Sequence, residues 1–189
     1  MLSFRRFPST PVDPVDKLRK NILRDEQKNC FMIRTGIGFD IHGFAPDRPL
    51  ILGGVHIVDS PGLAGHSDAD VLAHALSDAL LGAVAAGDIG HHFPDTEPAW
   101  KNADSMDLLR RVVDVLRNRH AAIINTDATV MAEIPRLAPH IDAMRSRLAD
   151  AMGISRDAVS VKAGTMERMG AIGRREGIAA MAVATVQMS

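Results

Sequence analysis

Asp40 and His42 in GFDIHGF, and His74 in HSDADVLAHALSDALLG, are ligand-type side chains set inside otherwise apolar segments. Two residues apart, Asp40 and His42 point to the same face of a strand. His74 follows Asp70 by four residues and His66 by eight, so these side chains lean along one side of a helix. The segments are close in sequence, and packing the helix on the strand brings Asp40, His42 and His74 together. Spacing alone suits either a metal site or satisfied buried histidines. Asp40 decides for the metal, because a carboxylate in an apolar strand is costly unless it is paired or metal-bound. One carboxylate with two imidazoles fits a divalent transition metal, most often zinc, with a fourth position open to a substrate oxygen.

The chain has 189 residues, 46% of them hydrophobic, which implies one domain with a real core and a short appendage. Its net charge of −1 carries no long block of either sign, so neither nucleic acid nor an anionic membrane is an expected partner. Cys30 is the single cysteine, which excludes a disulfide framework and a multi-cysteine zinc site. The apolar stretch Val71 to Ala86 is interrupted by His74 and Asp78 and falls short of a membrane span. A soluble, cytoplasmic protein is expected. Residues 1–33 read as an extension or linker and 34–189 as the domain. The opening MLSFRRFPST is basic and acid-free like a transit peptide, but Asp13, Asp16, Asp25 and Glu26 follow, leaving organellar targeting open.

From Arg34 the pattern predicts a strand through Ile37, Phe39 and Ile41, then a second strand near Leu50 to Ile57 with a bulge or a close backbone approach at Gly53 and Gly54. A helix follows from an N-cap at Ser67 to about Ala86, then another from Ser105 to Asn118 and a strand from Ile123 to Ala132. A third helix runs from Pro139 to Gly153, Ser155 caps a further turn, and Val159–Ala163 and Ile178–Val186 read as strands. This alternation implies a two-layer α/β sandwich with a mixed four- to five-stranded sheet packed on helices.

Two loops have the composition of a phosphate-handling site. Residues 85–105 hold Asp88, Asp95, Glu97 and Asp104, carboxylates able to accept hydrogen bonds from substrate hydroxyls. Residues 161–177 combine four glycines with Thr165, Glu167 and three arginines, and a carboxylate beside phosphate suggests an intervening hard cation such as Mg2+. His66 and Ser67, at the expected helix start, are placed for an anion. His91 and His92 read as exposed loop residues. Asp70 and Asp78 read as residues orienting the metal histidines or solvating the helix.

GFDIHGF, HSDADVLAHALSDALLG, DIGHHFPDTEP and TMERMG…GRREG, in this order and spacing, resemble the 2-C-methyl-D-erythritol 2,4-cyclodiphosphate synthase family over Arg34 to Met188. The resemblance implies a homotrimer around a threefold axis, with sites shared between subunits. The implied reaction cyclises a diphosphocytidyl methylerythritol 2-phosphate with release of CMP, in the non-mevalonate isoprenoid pathway. Carried over by position, Asp40, His42 and His74 bind Zn2+, and Glu167 binds Mg2+ or Mn2+. His66 and Thr165 form the transition-state-stabilising pair, with Ser67 on phosphate. Asp88, Ile89 and Gly90 hold the methylerythritol hydroxyls, with Phe93, Pro94, Asp95, Thr96 and Glu97 beside them. Ala132, Arg136 and Leu137 belong to the cytosine pocket, and Arg174 lines an axial cavity that takes an isoprenoid diphosphate in the family.

Glu97 stands where many relatives have Asp, Arg136 where Lys is common, Ala171 where Phe is frequent, and GTMERMG replaces a threonine-rich run. Two other readings stay open: a zinc-dependent phosphoester hydrolase with Asp70 as general base, and a non-catalytic trimeric ligand-binding protein.

Overall fold

Small and ligand-type residues alternate with large apolar ones from Met32 to Ala45, and this stretch is strand β1 of a computed structural model that describes residues 31–189. The extension expected over 1–33 lies outside the described residues except for its last three positions. Met32 and Ile33 already belong to β1, because the final strand, β7 (Gly177–Met188), is long enough to pair Met188 with Met32 and Gln187 with Ile33. On its other edge β7 pairs antiparallel with β5 (Ala121–Met131), which runs parallel to β6 (Val159–Gly164). A two-residue strand, β4 (Gly62–Leu63), completes the mixed sheet in the order β4-β1-β7-β5-β6.

Leu50–Ile57 is not one bulged strand but a hairpin of β2 (Leu50–Leu52) and β3 (Val55–Ile57). Gly53 and Gly54 both sit at positive φ, +56° and +70°, and two consecutive left-handed residues reverse the chain.

One face of the sheet carries the long helices α1 (Val71–Ala83), α3 (Ser105–Asn118) and α4 (Ile141–Met152); α2 (Ile89–His92) and α5 (Gly170–Gly173) are single turns. The helices at 105–118 and 141–152 end where expected, the latter on left-handed Gly153, and Ser155 caps the 3-10 turn Arg156–Ala158. The first helix starts later than expected. Ala69 is left-handed and breaks the helical path, and Asp70, not Ser67, is the N-cap, accepting from the Ala73 amide. It also ends earlier, since Ala85 is left-handed.

Gly36 and Gly38 decide where α1 lies. A Cβ on Gly36 would stand 2.1 Å from the Ala79 carbonyl oxygen, and one on Gly38 2.0 Å from that of Ala75. The strand backbone therefore touches the helix backbone, and Ala75, Ala79 and Ala83 recur on α1 where the two meet. Leu72, Leu76 and Leu80 pack with Leu109, Val112 and Leu116 of α3 and with Met144, Leu148 and Met152 of α4 into one core. Each such side chain contributes about 2 kcal/mol on burial.

The opposite face is open. Ile37, Phe39 and Ile41 of β1 are 65%, 51% and 50% exposed, beside Met181 and Val183 of β7 in register with Phe39 and Ile37. An apolar sheet face of this kind marks an interaction surface.

Candidate metal centre and two clefts

The close approach of α1 to β1 delivers His74 to the end of the strand that holds Asp40 and His42. Asp40 Oδ2 lies 3.0 Å from His42 Nε2 and 2.9 Å from His74 Nδ1, and the two nitrogens are 3.3 Å apart. Three donors around a tetrahedral zinc, at metal–ligand distances near 2.1 Å, stand roughly 3.4 Å from one another. The triangle is thus one face of such a coordination shell, slightly contracted, and the described residues contain no other gathering of three such ligands. The second Asp40 oxygen, Oδ1, accepts from the Ile41 amide at 2.9 Å, which leaves Oδ2 to face the imidazoles.

Burial opposes the charge on Asp40, but hydrogen bonds and charge from His42 and His74 outweigh it and hold the carboxyl well below its usual range. Burial likewise opposes protonation of His74, and Asp40 outweighs it, raising the imidazole above its ordinary value. The far nitrogen of His74, Nε2, lies 3.0 Å from Ser105 Oγ and 3.1 Å from Ser67 Oγ. Ser105 Oγ in turn donates to Asp68.

The triangle opens on a cleft of about 310 Å³. His42, His66, Ser67 and His74 form its polar side, and Ile89, Gly90, Phe93 and Asp95 line it as well. Trp100, unassigned by the sequence, packs edge-on to Phe93 at 5.1 Å between ring centres and carries the Arg111 guanidinium over its face at 5.3 Å. Asp88 caps α2 through the His91 amide, and the Glu97 backbone carbonyl faces His66 Nε2 at 3.3 Å. Pro94, Thr96 and Glu97 belong to the same loop without lining the cleft.

Several expectations change here. Residues 85–105 are not a plain loop, because α2 and the 3-10 turn Pro98–Trp100 give them structure. Asp78 ties α2 to α1 by accepting from the Ile89 amide at 2.7 Å, and its pKa is raised by burial despite that bond. His92 is half-buried, its Nε2 lying 2.9 Å from the Ala86 carbonyl. His66 and Ser67 precede α1 instead of standing on its first turn, and the Arg48 guanidinium donates to the Gly65 and Ser67 carbonyls to hold this segment. Asp70 is fully buried and accepts from the amides of Gly53, Gly54 and Ala73, so it locks the hairpin to α1. Burial pushes its pKa up to about 6. With both oxygens committed and no solvent access, Asp70 neither orients His74 nor serves as a general base.

A second cleft, of about 290 Å³, lies where β5 and β6 end, and Ala132, Arg136, Leu137 and Thr165 line it. Thr165 Oγ1 donates to Glu167 Oε1 at 3.0 Å. Glu167 and Arg168 are left-handed, with φ of +50° and +63°, a backbone that costs such residues energy. Glu133 holds this turn, its Oε1 accepting from both the Met166 and Arg168 amides at 3.0 Å. Arg174 is exposed and paired with Glu176 at 2.7 Å, and Ala171 lines a smaller cavity with Ile41, His42 and Gly177.

One chain does not join the two clefts. They share no residue, and β1 and β6 are three strand positions apart, roughly 14 Å at ordinary strand spacing. His66 and Thr165 accordingly stand in different clefts. Asp68, Ser105 and Glu133 are polar residues of the two sites that the sequence did not single out. Ser105 reads in sequence only as a helix start, and its neighbours come from segments more than thirty residues away.

Residues 33–187 match the model of the YgbB family. A 2-C-methyl-D-erythritol 2,4-cyclodiphosphate synthase from Salinibacter ruber is 57% identical over 155 residues, covering 82% of this chain and 99% of the relative. The bifunctional IspDF from Campylobacter jejuni superimposes with a TM-score of 0.82 at 45% identity, covering 85% of this chain and 43% of that longer one. IspF from Plasmodium falciparum, solved as a CDP complex, matches with a TM-score of 0.71 at 30% identity over 82% of this chain and 95% of its own.

Proposed function

The chain belongs to the YgbB family, and from that premise we propose how its residues divide the work of the family's reaction. It is an enzyme of isoprenoid biosynthesis that converts 4-diphosphocytidyl-2-C-methyl-D-erythritol 2-phosphate into the 2,4-cyclodiphosphate and CMP. An oxygen of the 2-phosphate attacks the β-phosphorus. The bond from that phosphorus to the oxygen bridging to the α-phosphate breaks, and this oxygen leaves with CMP.

Asp40, His42 and His74 hold Zn2+ and Glu167 holds Mg2+ or Mn2+, cations that when bound neutralise and polarise phosphate oxygens. His66 and Thr165 donate to the oxygens around the β-phosphorus as charge moves, and Ser67 holds a neighbouring phosphate oxygen. Asp88, Ile89 and Gly90 fix the methylerythritol hydroxyls, with Phe93 to Glu97 enclosing them. The backbone from Ala132 to Leu137 receives the cytosine; the Plasmodium falciparum relative was solved with a cytidine nucleotide, CDP, which supports a cytidine-bearing substrate. Positioning of in-line partners supplies much of the rate in phosphoryl transfer.

This division needs three copies. The open apolar face of β1 and β7 supports a homotrimer with that face toward the threefold axis, which seats the second cleft of one subunit beside the metal centre of the next. Arg174 and Ala171 then approach the axis, where an isoprenoid diphosphate would bind. A cytoplasmic setting belongs to the same reading.

The observation that carries the proposal is the contracted tetrahedral face of Asp40, His42 and His74 opening on the cleft of His66 and Ser67. Phosphorus NMR of the protein with substrate, Zn2+ and Mg2+ tests it. Cyclic diphosphate and CMP should appear together and vanish on chelation; an opened phosphoester or an untouched substrate would contradict it.

A further inference from the structure

His74 has two ring nitrogens and can present only one to a metal, so something must choose. Nδ1 faces Asp40 and His42; Nε2 faces Ser105 Oγ at 3.0 Å, and Ser105 is 1% exposed. The Ser105 hydroxyl has a single proton, which it donates to Asp68 Oδ1, while the Ser105 amide donates to Asp68 Oδ2 at 3.0 Å. Both oxygens of Asp68 are therefore engaged by one residue. With its proton committed, Ser105 Oγ offers His74 only lone pairs, and a stable contact requires a proton on Nε2. Ser67 Oγ, at 3.1 Å from the same nitrogen, accepts from the Ala69 amide and keeps its own proton to donate.

We propose that Asp68, acting through the Ser105 hydroxyl, is a positioning residue that fixes His74 with Nε2 protonated and Nδ1 as the metal ligand. The same arrangement frees the Ser67 hydroxyl to donate into the cleft toward a phosphate oxygen. This inference rests on the metal reading of the site. It adds an outer carboxylate to the three ligands, of the kind that orients ligating histidines elsewhere.

The test uses histidine-labelled full-length protein loaded with Zn2+ and long-range 1H–15N NMR. His74 should show a protonated Nε2 and a metal-shifted Nδ1; a proton on Nδ1 or zinc on Nε2 would overturn the inference. This spectrum is of the unaltered protein, so it decides even where a variant misfolds. Zinc affinity, measured against a chromophoric chelator, should fall about 10- to 100-fold in Ser105→Ala and in Asp68→Asn. Ser67→Ala should keep it within about twofold, because Ser105 alone satisfies Nε2. Unaltered affinity in folded Ser105→Ala would overturn the inference and leave the metal site standing. Failure of the unaltered protein to bind one Zn2+ per chain would overturn both.

Discussion

The metal centre and the Thr165–Arg168 turn are held in opposite ways. The first is built on a strand and a helix whose backbones touch at Gly36 and Gly38, so the core itself sets its geometry. The second is an exposed left-handed turn whose Met166 and Arg168 amides are clamped by one carboxylate, Glu133. Rigid elements hold a ligand triangle to a few tenths of an ångström. A surface turn can afford to wait for a partner to complete it. The contrast implies that damage to the packing beneath the first region lowers stability and zinc binding together, and damage to the second acts mainly on the reaction.

Removing a metal ligand should have the largest effect. His42→Ala is expected to lose zinc and roughly 10³-fold or more in turnover, since several kcal/mol of charge stabilisation disappear. The protein should stay folded, because His42 lies at the end of the sheet and not in the core; a variant with full zinc and full activity would break the assignment. Gly38→Ala should couple the two properties. Its methyl group meets the Ala75 carbonyl, so a loss of about 1–3 kcal/mol in denaturant unfolding should accompany weaker zinc binding. Unchanged stability would mean that the helix is free to shift.

Glu133→Ala should sharpen the contrast from the other side. It frees the Met166 and Arg168 amides, so turnover should fall about 10- to 100-fold while zinc content stays full and stability changes by about 1 kcal/mol. Glu133→Gln, which keeps a carbonyl acceptor, should recover most of the loss. Equal damage from both substitutions would point to charge and not to the clamp.

The smallest effect expected is a pH trend. The His74 pKa is raised from 6.5, so its contribution to the metal-free fold is complete below 6.5 and is lost as pH rises through the folded value. The Asp40 pKa is lowered from 3.8, so its contribution is present above 3.8 and is lost as pH falls through the folded value. Metal requires the neutral imidazole, so zinc affinity should climb with pH through the raised His74 value. The rise in Tm on adding zinc should be larger at pH 8 than at pH 6; an equal rise would remove the competition between proton and metal.

The metal centre was legible because its parts are local. Asp40 and His42 share a strand, and His74, with Asp78, is one of the two ionisable side chains in a helix that is otherwise apolar and buried nearly all round. The errors nearby were of turn chemistry. Two glycines read as a bulge or a close backbone approach turn a hairpin, and Asp70, read as orienting the metal histidines or solvating the helix face, is a cap and a clamp. Asp68 and Ser105 were hidden because their meeting depends on tertiary packing across α1 and α3. The second cleft was legible as residues but not as a site, since one chain leaves His66 and Thr165 in different clefts.

The most direct test of shared sites is subunit mixing. If sites are shared as proposed, His42→Ala spoils only the metal side and Glu167→Ala only the turn, so each variant alone should be nearly inactive. Random reassembly at equal amounts pairs an intact metal side with an intact turn in about a quarter of the interfaces of a closed ring. Recovery of about a quarter of the unaltered activity is the predicted result. Mixed trimers confirmed by native mass spectrometry with no recovered activity would contradict the account.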